Sequence, residues 1–133
     1  MTRTTIIAIA GASASGKSLF SQTIYNELVN ELEPGAIAII EEDAYYKDQS
    51  HLPMAHRTQT NYDHPDAFEH ALMLEHLTQL RSGNSVEVPT YDYAQHTRSE
   101  KTRRVPAAKI LIVEGILLLS DKRHFLKFKF YFK

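Results

Sequence analysis

Eight consecutive residues, Gly11-Ala12-Ser13-Ala14-Ser15-Gly16-Lys17-Ser18, carry the spacing G-x-x-x-x-G-K-[ST]. Their chemistry is that of a phosphate cradle. The two glycines let successive backbone N–H groups curl round phosphate oxygens, and the N-terminus of a following helix adds a favourable dipole. In such a loop Lys17 reaches the β- and γ-phosphates of a nucleoside triphosphate, and the Ser18 hydroxyl ligates Mg²⁺. The pattern has this meaning only between a buried strand and a helix, so the flanking segments decide its value.

Those segments have the required character. Thr5-Ile6-Ile7-Ala8-Ile9-Ala10 is apolar on both faces, as in a strand buried within a parallel sheet. After the loop, Phe20, Ile24, Leu28 and Leu32 recur every four residues and mark a helix with one apolar stripe, which Pro34-Gly35 stops. Ala36 to Ile40 is a second buried strand and runs into Glu41-Glu42-Asp43; Lys109 to Glu114 is a third. In an open α/β sheet the ligand crevice lies beyond the carboxyl ends of the strands. Asp43 and Glu114 are therefore both expected at the phosphates. One would hold the hydration shell of a magnesium ion and the other would accept a proton from an attacking hydroxyl; position alone leaves open which does which.

A second set is aromatic and polar: Tyr45, Tyr46, Tyr62, Asp63, His64, Tyr91, Tyr93 and His96. Flat rings suit stacking on a planar base, and carboxylate or imidazole groups suit ribose hydroxyls and base edges. Equally, tyrosines can roof a small core with their hydroxyls in water. The seven histidines do not have metal-ligand spacing, and most are expected at the surface. The basic cluster Arg98, Lys101, Arg103 and Arg104 reads as a solvated hairpin edge.

The elements that must position these groups follow from pattern. A second helix is expected from about Pro65 to Arg81, with Phe68, Leu72, Met73, Leu77 and Leu80 as its stripe and Gly83 at its exit. Val86 to Pro89 and Tyr91 to Tyr93 read as short strand pieces, paired as a hairpin with the segment near Arg103 to Val105. From Ala44 to Asp63 a loop with one helical turn is expected. The strand–loop–helix–strand order implies an α/β fold with a parallel sheet flanked by helices and a small β-hairpin insertion.

With 133 residues the chain has room for one core. A formal charge of −1 supplies no general field for nucleic acid or a membrane surface, and no apolar run is long enough to span a bilayer. Without cysteine there is no disulfide, thiolate metal site or cysteine nucleophile. The N-terminus lacks the pattern of a signal peptide, and a cytoplasmic protein is expected. The end of the chain differs in composition: four of the six phenylalanines fall between Phe125 and Phe132, interleaved with lysines. Residues 1–121 are read as the core and 122–133 as an atypical Phe/Lys-rich tail, with the C-terminal part of the fold missing.

The motifs together resemble the uridine kinase (uridine–cytidine kinase) family, a nucleoside-kinase branch of the phosphate-loop proteins. The resemblance rests on the loop with its Ala-Ser-Ala-Ser filling, Glu42-Asp43-Ala44-Tyr45-Tyr46-Lys47, Asn61-Tyr62-Asp63-His64-Pro65, Val88-Pro89-Thr90-Tyr91-Asp92-Tyr93 with His96 and Arg98, and Val113-Glu114-Gly115-Ile116-Leu117. It runs from about Ile6 to Asp121. It implies transfer of the γ-phosphoryl of ATP or GTP to the 5′-hydroxyl of uridine or cytidine, with Mg²⁺. It further implies Asp43 as the base, Glu114 on the magnesium side, Tyr46 near the sugar and Asp63 on the ribose hydroxyls. Tyr62 and Tyr93 would flank the pyrimidine, Tyr91 and His96 would read its 4-position edge, and a homo-oligomer would be the assembly. The family's arginine-rich lid has no counterpart in the sequence, so the alternative to an active kinase is a catalytically impaired nucleotide-binding remnant.

Overall fold

The computed structural model describes residues 4–10, 17–115 and 131–132. Four strands form a parallel sheet: β1 (Thr5–Ala10), β2 (Ile37–Glu41), β5 (Ile110–Gly115) and the two-residue β6 (Tyr131–Phe132), in the order β2-β5-β1-β6. Two further strands, β3 (Val86–Asp92) and β4 (Thr97–Val105), pair antiparallel as a separate hairpin. The helices are α1 (Lys17–Val29), the single turn α2 (Met54–Arg57) and α3 (His70–Arg81). Among the described residues no helix is long and apolar enough to cross a membrane.

β5 lies between β1 and β2 because it can be covered on both sides: Leu111, Ile112 and Val113 are all buried. Strand periodicity sorts the sheet residues into two layers. Ile6, Ala8, Ile40, Leu111 and Val113 face Met73, Leu77 and Leu80 of α3 and Val86, Val88 and Val105 of the hairpin. Ile9, Ile37 and Ile112 face the other way, onto Ile24, Tyr25 and Leu28 of α1. The α/β architecture with a parallel sheet and a hairpin insertion is as the pattern implied.

Three expectations change in detail. The segment before α3 is not one helix from Pro65. A 3-10 turn, Pro65–Ala67, is followed by an extended Phe68, whose backbone pairs with that of Tyr46. Pro65 begins that short turn rather than the long helix, and α3 starts at His70. The end is as expected: Gly83 adopts φ +95, a left-handed exit that favours glycine. The two strand pieces of the hairpin are one strand, β3, with an irregular register between Pro89 and Tyr91, and Tyr93 lies beyond it in the turn. Finally, Phe20 of the α1 stripe is exposed, and the helical face that packs on the sheet is carried by Ile24, Tyr25 and Leu28.

Candidate functional site

β1 ends at Ala10 and α1 begins at Lys17, so the phosphate-loop segment joins a buried strand to a helix as its chemistry needs. Residues 11–16 and the side chains of Lys17 and Ser18 lie outside the described residues. The strand register sets the rest of the edge: Ile9 of β1 and Glu41 of β2 are both level with Glu114 of β5. Asp43 follows two residues past Glu41, in a 3-10 turn spanning Glu42–Tyr45. Parallel pairing thus brings Asp43, Glu114 and the start of the loop segment to one end of one sheet. Glu114 is buried and Asp43 half-buried.

Beside Asp43 in the same turn is a residue that sequence reasoning did not single out. Glu42 is wholly buried, and its Oε2 is 2.7 Å from His70 Nε2 at the start of α3. His70, also buried, is stacked on Phe68 with centroids 5.1 Å apart. The surface placement expected for most histidines therefore fails at His70, because a carboxylate taken out of water needs a hydrogen-bond partner there. The backbone of Gly115 passes so close to Glu42 that a Cβ at 115 would lie 2.5 Å from Oε1.

Tyr62, Tyr91 and Tyr93 form one cluster with Tyr46, whereas Tyr45 is buried in the core with its hydroxyl 2.8 Å from His76 Nδ1. The Tyr46 ring stacks on Phe68 at 4.4 Å and meets the edges of Tyr62 at 4.8 Å and Tyr91 at 5.2 Å; Tyr93 continues the array from Tyr91 at 5.1 Å. The Tyr46 hydroxyl donates to the Tyr62 carbonyl at 3.3 Å. Burial, and then the nearby Asp43, Tyr93, Glu42 and Asp63, push that hydroxyl well above the usual phenol range. Tyr46 is thus neutral and within electrostatic reach of both Asp43 and Asp63. Arg98 fixes its backbone: one guanidinium nitrogen donates to the Tyr46 carbonyl at 3.0 Å and another reaches Glu69 at 2.9 Å. Arg98 thus leaves the solvated edge on which Lys101, Arg103 and Arg104 remain exposed.

A second hydrogen-bonded group adjoins this cluster. The hydroxyls of Tyr62 and Tyr91 are 2.8 Å apart, and Tyr62 reaches His96 Nδ1 at 3.5 Å. Gln49, in the loop after the Glu42–Tyr45 turn, is 92% buried and contacts all three residues. No sequence signal marks Gln49, since an isolated glutamine in a polar loop has no periodicity or motif to betray it. His96 has φ +50 in the hairpin turn, whose Ala94 and Gln95 amides donate to Asp92 Oδ1 at 3.0 and 3.1 Å.

An open cleft of about 550 Å³ runs along the outer edge of β2 and reaches Asp43, Tyr91, Tyr93 and Arg103. Tyr46, Tyr62, Asp63 and His96 do not line it. Tyr46 and Tyr62 adjoin it through their contacts with Tyr91, and His96 through Tyr62. Asp63 is exposed, with its backbone N–H on Asn61 Oδ1. Among the described residues, no group of three or more His, Cys, Asp or Glu is arranged to hold a metal ion.

The chain matches the model of the phosphoribulokinase / uridine kinase family over residues 6–132. It is 63% identical over 116 residues to the uridine kinase of Tolumonas auensis, covering 87% of this chain and 54% of that protein. With the uridine kinase of Vibrio atlanticus it shares 58% over 118 residues, 89% of this chain and 55% of that one. The chain thus spans about half the length of the curated relatives it matches. In fold it is similar to the structure described as a possible uridine kinase from Bacillus stearothermophilus, with TM-score 0.74, 19% identity, and coverage of 99% of this chain and 71% of that one. The D-glycerate 3-kinase of Cryptococcus neoformans superposes with TM-score 0.64 at 19% identity, covering 88% of this chain and 44% of that one.

Proposed function

This chain belongs to the phosphoribulokinase / uridine kinase family, and on that premise we propose that it is a pyrimidine-nucleoside kinase, moving the γ-phosphoryl of ATP or GTP to the 5′-hydroxyl of uridine or cytidine. One observation carries the reading. A cluster of tyrosines suited to a flat base adjoins Asp43, at the sheet end where the phosphate-loop segment begins.

In this reading Gly11, Ala12, Ser13, Ala14, Ser15 and Gly16 offer backbone N–H groups to the triphosphate, and Lys17 neutralises its terminal oxygens. Asp43 takes the proton of the 5′-hydroxyl as the new O5′–Pγ bond forms. The bond from Pγ to the bridging oxygen breaks, and the nucleoside diphosphate leaves with that oxygen. Asp63 binds the ribose hydroxyls and the neutral Tyr46 lies against the sugar. Tyr62 and Tyr93 flank the ring, while Tyr91 and His96 meet its 4-position edge.

The carboxylate of Glu114, level with the ends of β1 and β2, is a hard oxygen donor of the kind Mg²⁺ takes, and a cation brought in on a triphosphate needs only one or two such groups. Glu114 and the Ser18 hydroxyl would hold it. When bound, the ion neutralises charge that develops on the transferring phosphoryl group.

The test is a coupled kinase assay with uridine, ATP and Mg²⁺. UMP should form with the parent chain and vanish with Lys17→Ala. Asp43→Asn should lower turnover by about 10²-fold or more, the usual share of a general base, while uridine still binds by calorimetry. Turnover within a few-fold of the parent would remove Asp43 from the role of base. Uridine binding without UMP formation by the parent would leave a nucleoside-binding protein without turnover.

A further inference from the structure

Gln49 makes the densest set of side-chain hydrogen bonds round the proposed base site, and nothing in the kinase chemistry above uses it. Its amide orientation follows from its partners. The His96 carbonyl can only accept, so the NH₂ group must face it, at 3.0 Å. The amide oxygen then accepts from Thr60 Oγ1 at 2.5 Å. The second N–H is shared between the Tyr91 and Tyr62 hydroxyls, whose oxygens lie 3.3 and 3.4 Å from Nε2. The backbone N–H of Gln49 donates to Thr97 Oγ1 at 2.6 Å, tying this loop to the first residue of β4.

We propose that Gln49 is a positioning residue for the pyrimidine: its amide locks the His96 backbone and the Tyr62–Tyr91 hydroxyl pair into one unit that presents the His96 ring and the Tyr91 hydroxyl to the edge of the base. The inference rests on the nucleoside-kinase reading and adds to it a residue that does not itself touch the ligand.

Two features carry it. First, His96 has φ +50, a conformation a non-glycine side chain keeps only where its surroundings impose it. The Gln49 amide grips the carbonyl of that residue. Second, because both tyrosine hydroxyls accept from Gln49, their own protons must go elsewhere. If Tyr91 donates to Tyr62 and Tyr62 to His96 Nδ1, a neutral His96 ring carries its proton on Nε2 and offers a donor, while Tyr91 offers a lone pair. If the chain runs the other way, Tyr91 becomes the donor and His96 Nε2 the acceptor. In both directions the unit shows one donor and one acceptor. A 4-oxo or a 4-amino pyrimidine can therefore be met by reversing protons, with no movement of heavy atoms. Without the amide the hydroxyls turn freely and the His96 turn relaxes.

The experiment compares the parent with Gln49→Met, which keeps length and loses every polar bond, by calorimetry with uridine and, separately, with ATP. Uridine affinity should fall about tenfold or more, because buried polar groups lose their partners. ATP affinity should stay within about twofold, which general damage to the fold would not allow. In the absence of nucleoside, the His96 ring signals in a ¹⁵N-histidine NMR spectrum, assigned by their loss in His96→Gln, should shift. Uridine binding by Gln49→Met equal to that of a binding parent, with unmoved His96 signals, would overturn the proposal alone. A parent that binds no pyrimidine nucleoside would overturn the kinase reading and this proposal with it. If Gln49→Met does not fold, the isosteric Gln49→Glu, whose carboxylate cannot donate to the His96 carbonyl, serves in its place with the same expected split.

Discussion

Glu42 is fully buried against His70 at 2.7 Å, while Asp43 beside it is half-buried at the edge of the open cleft. A 3-10 turn makes this division possible, since adjacent residues there point in different directions. The acidic run Glu41-Glu42-Asp43 thus separates into an exposed strand end, a buried anchor and a half-buried residue at the cleft. The anchor constrains its neighbours. In Gly115→Ala the new Cβ would fall 2.5 Å from Glu42 Oε1, and Glu42 is held by His70 and cannot swing away. We expect a loss of about 1–3 kcal/mol, as for overpacked interiors, read from urea denaturation. His70→Leu should also destabilise, because it removes a hydrogen-bond partner from a buried carboxylate; stability equal to the parent would show that this bond contributes little to folding.

At the scale of elements, α3 supports the site from below. Met73, Leu77 and Leu80 are buried at the spacing of one helical face, against the sheet layer that ends in the Glu42 turn. Leu77→Ala should therefore cost about 2–5 kcal/mol, the range for a leucine deleted from a filled core, measured by thermal or denaturant unfolding. The hairpin is the second support. Arg103 donates to the Ile39 carbonyl of β2 at 3.1 Å, covering part of an otherwise open sheet edge, and Arg98 holds the Tyr46 carbonyl at 3.0 Å. A lysine at position 98 could make one of the two Arg98 contacts and not both. On the proposed nucleoside-kinase reading, Arg98→Lys should weaken uridine binding through displacement of Tyr46 and leave ATP binding intact, both read by calorimetry.

For the whole molecule, the pH dependence of stability has an identifiable contributor. His76 on α3 hydrogen-bonds the buried Tyr45 hydroxyl at 2.8 Å through Nδ1. Burial lowers its pKa below the ordinary 6.5, with Glu75 and Glu69 opposing. The folded state thus resists a proton that the unfolded chain accepts. As pH falls through 6.5 the unfolded state is favoured, and the loss continues until the folded-state pKa is passed. Stability should rise with pH across that window, and His76→Gln should flatten the rise. An unchanged slope in denaturation midpoints between pH 5 and pH 7 would assign it to another group. Asp48 acts lower on the scale. Hydrogen bonds from the Ser50 amide and the Thr97 hydroxyl hold its pKa below 3.8, so its contribution is present above that value and lost in acid.

The strand–loop–helix order, the parallel sheet and the placing of Asp43 and Glu114 at one end of it were legible in the amino-acid sequence. Each depends on local signals: continuous apolar runs, glycine spacing, and acidic residues just past strand ends. The tyrosines were legible as a set, and the structure packs Tyr62, Tyr91 and Tyr93 with Tyr46. Only the tertiary structure decided the start of α3, where pairing of Phe68 with Tyr46 outweighs the helical signal of Pro65. It also decided the burial of His70 and the parts played by Gln49 and Arg98. A buried polar group is defined by the partners that satisfy it, and those of Gln49 and Arg98 lie up to 52 residues away along the chain. Sequence patterns report which residues want to leave water; which polar groups must follow them inside is settled by what the packed elements leave unpaired.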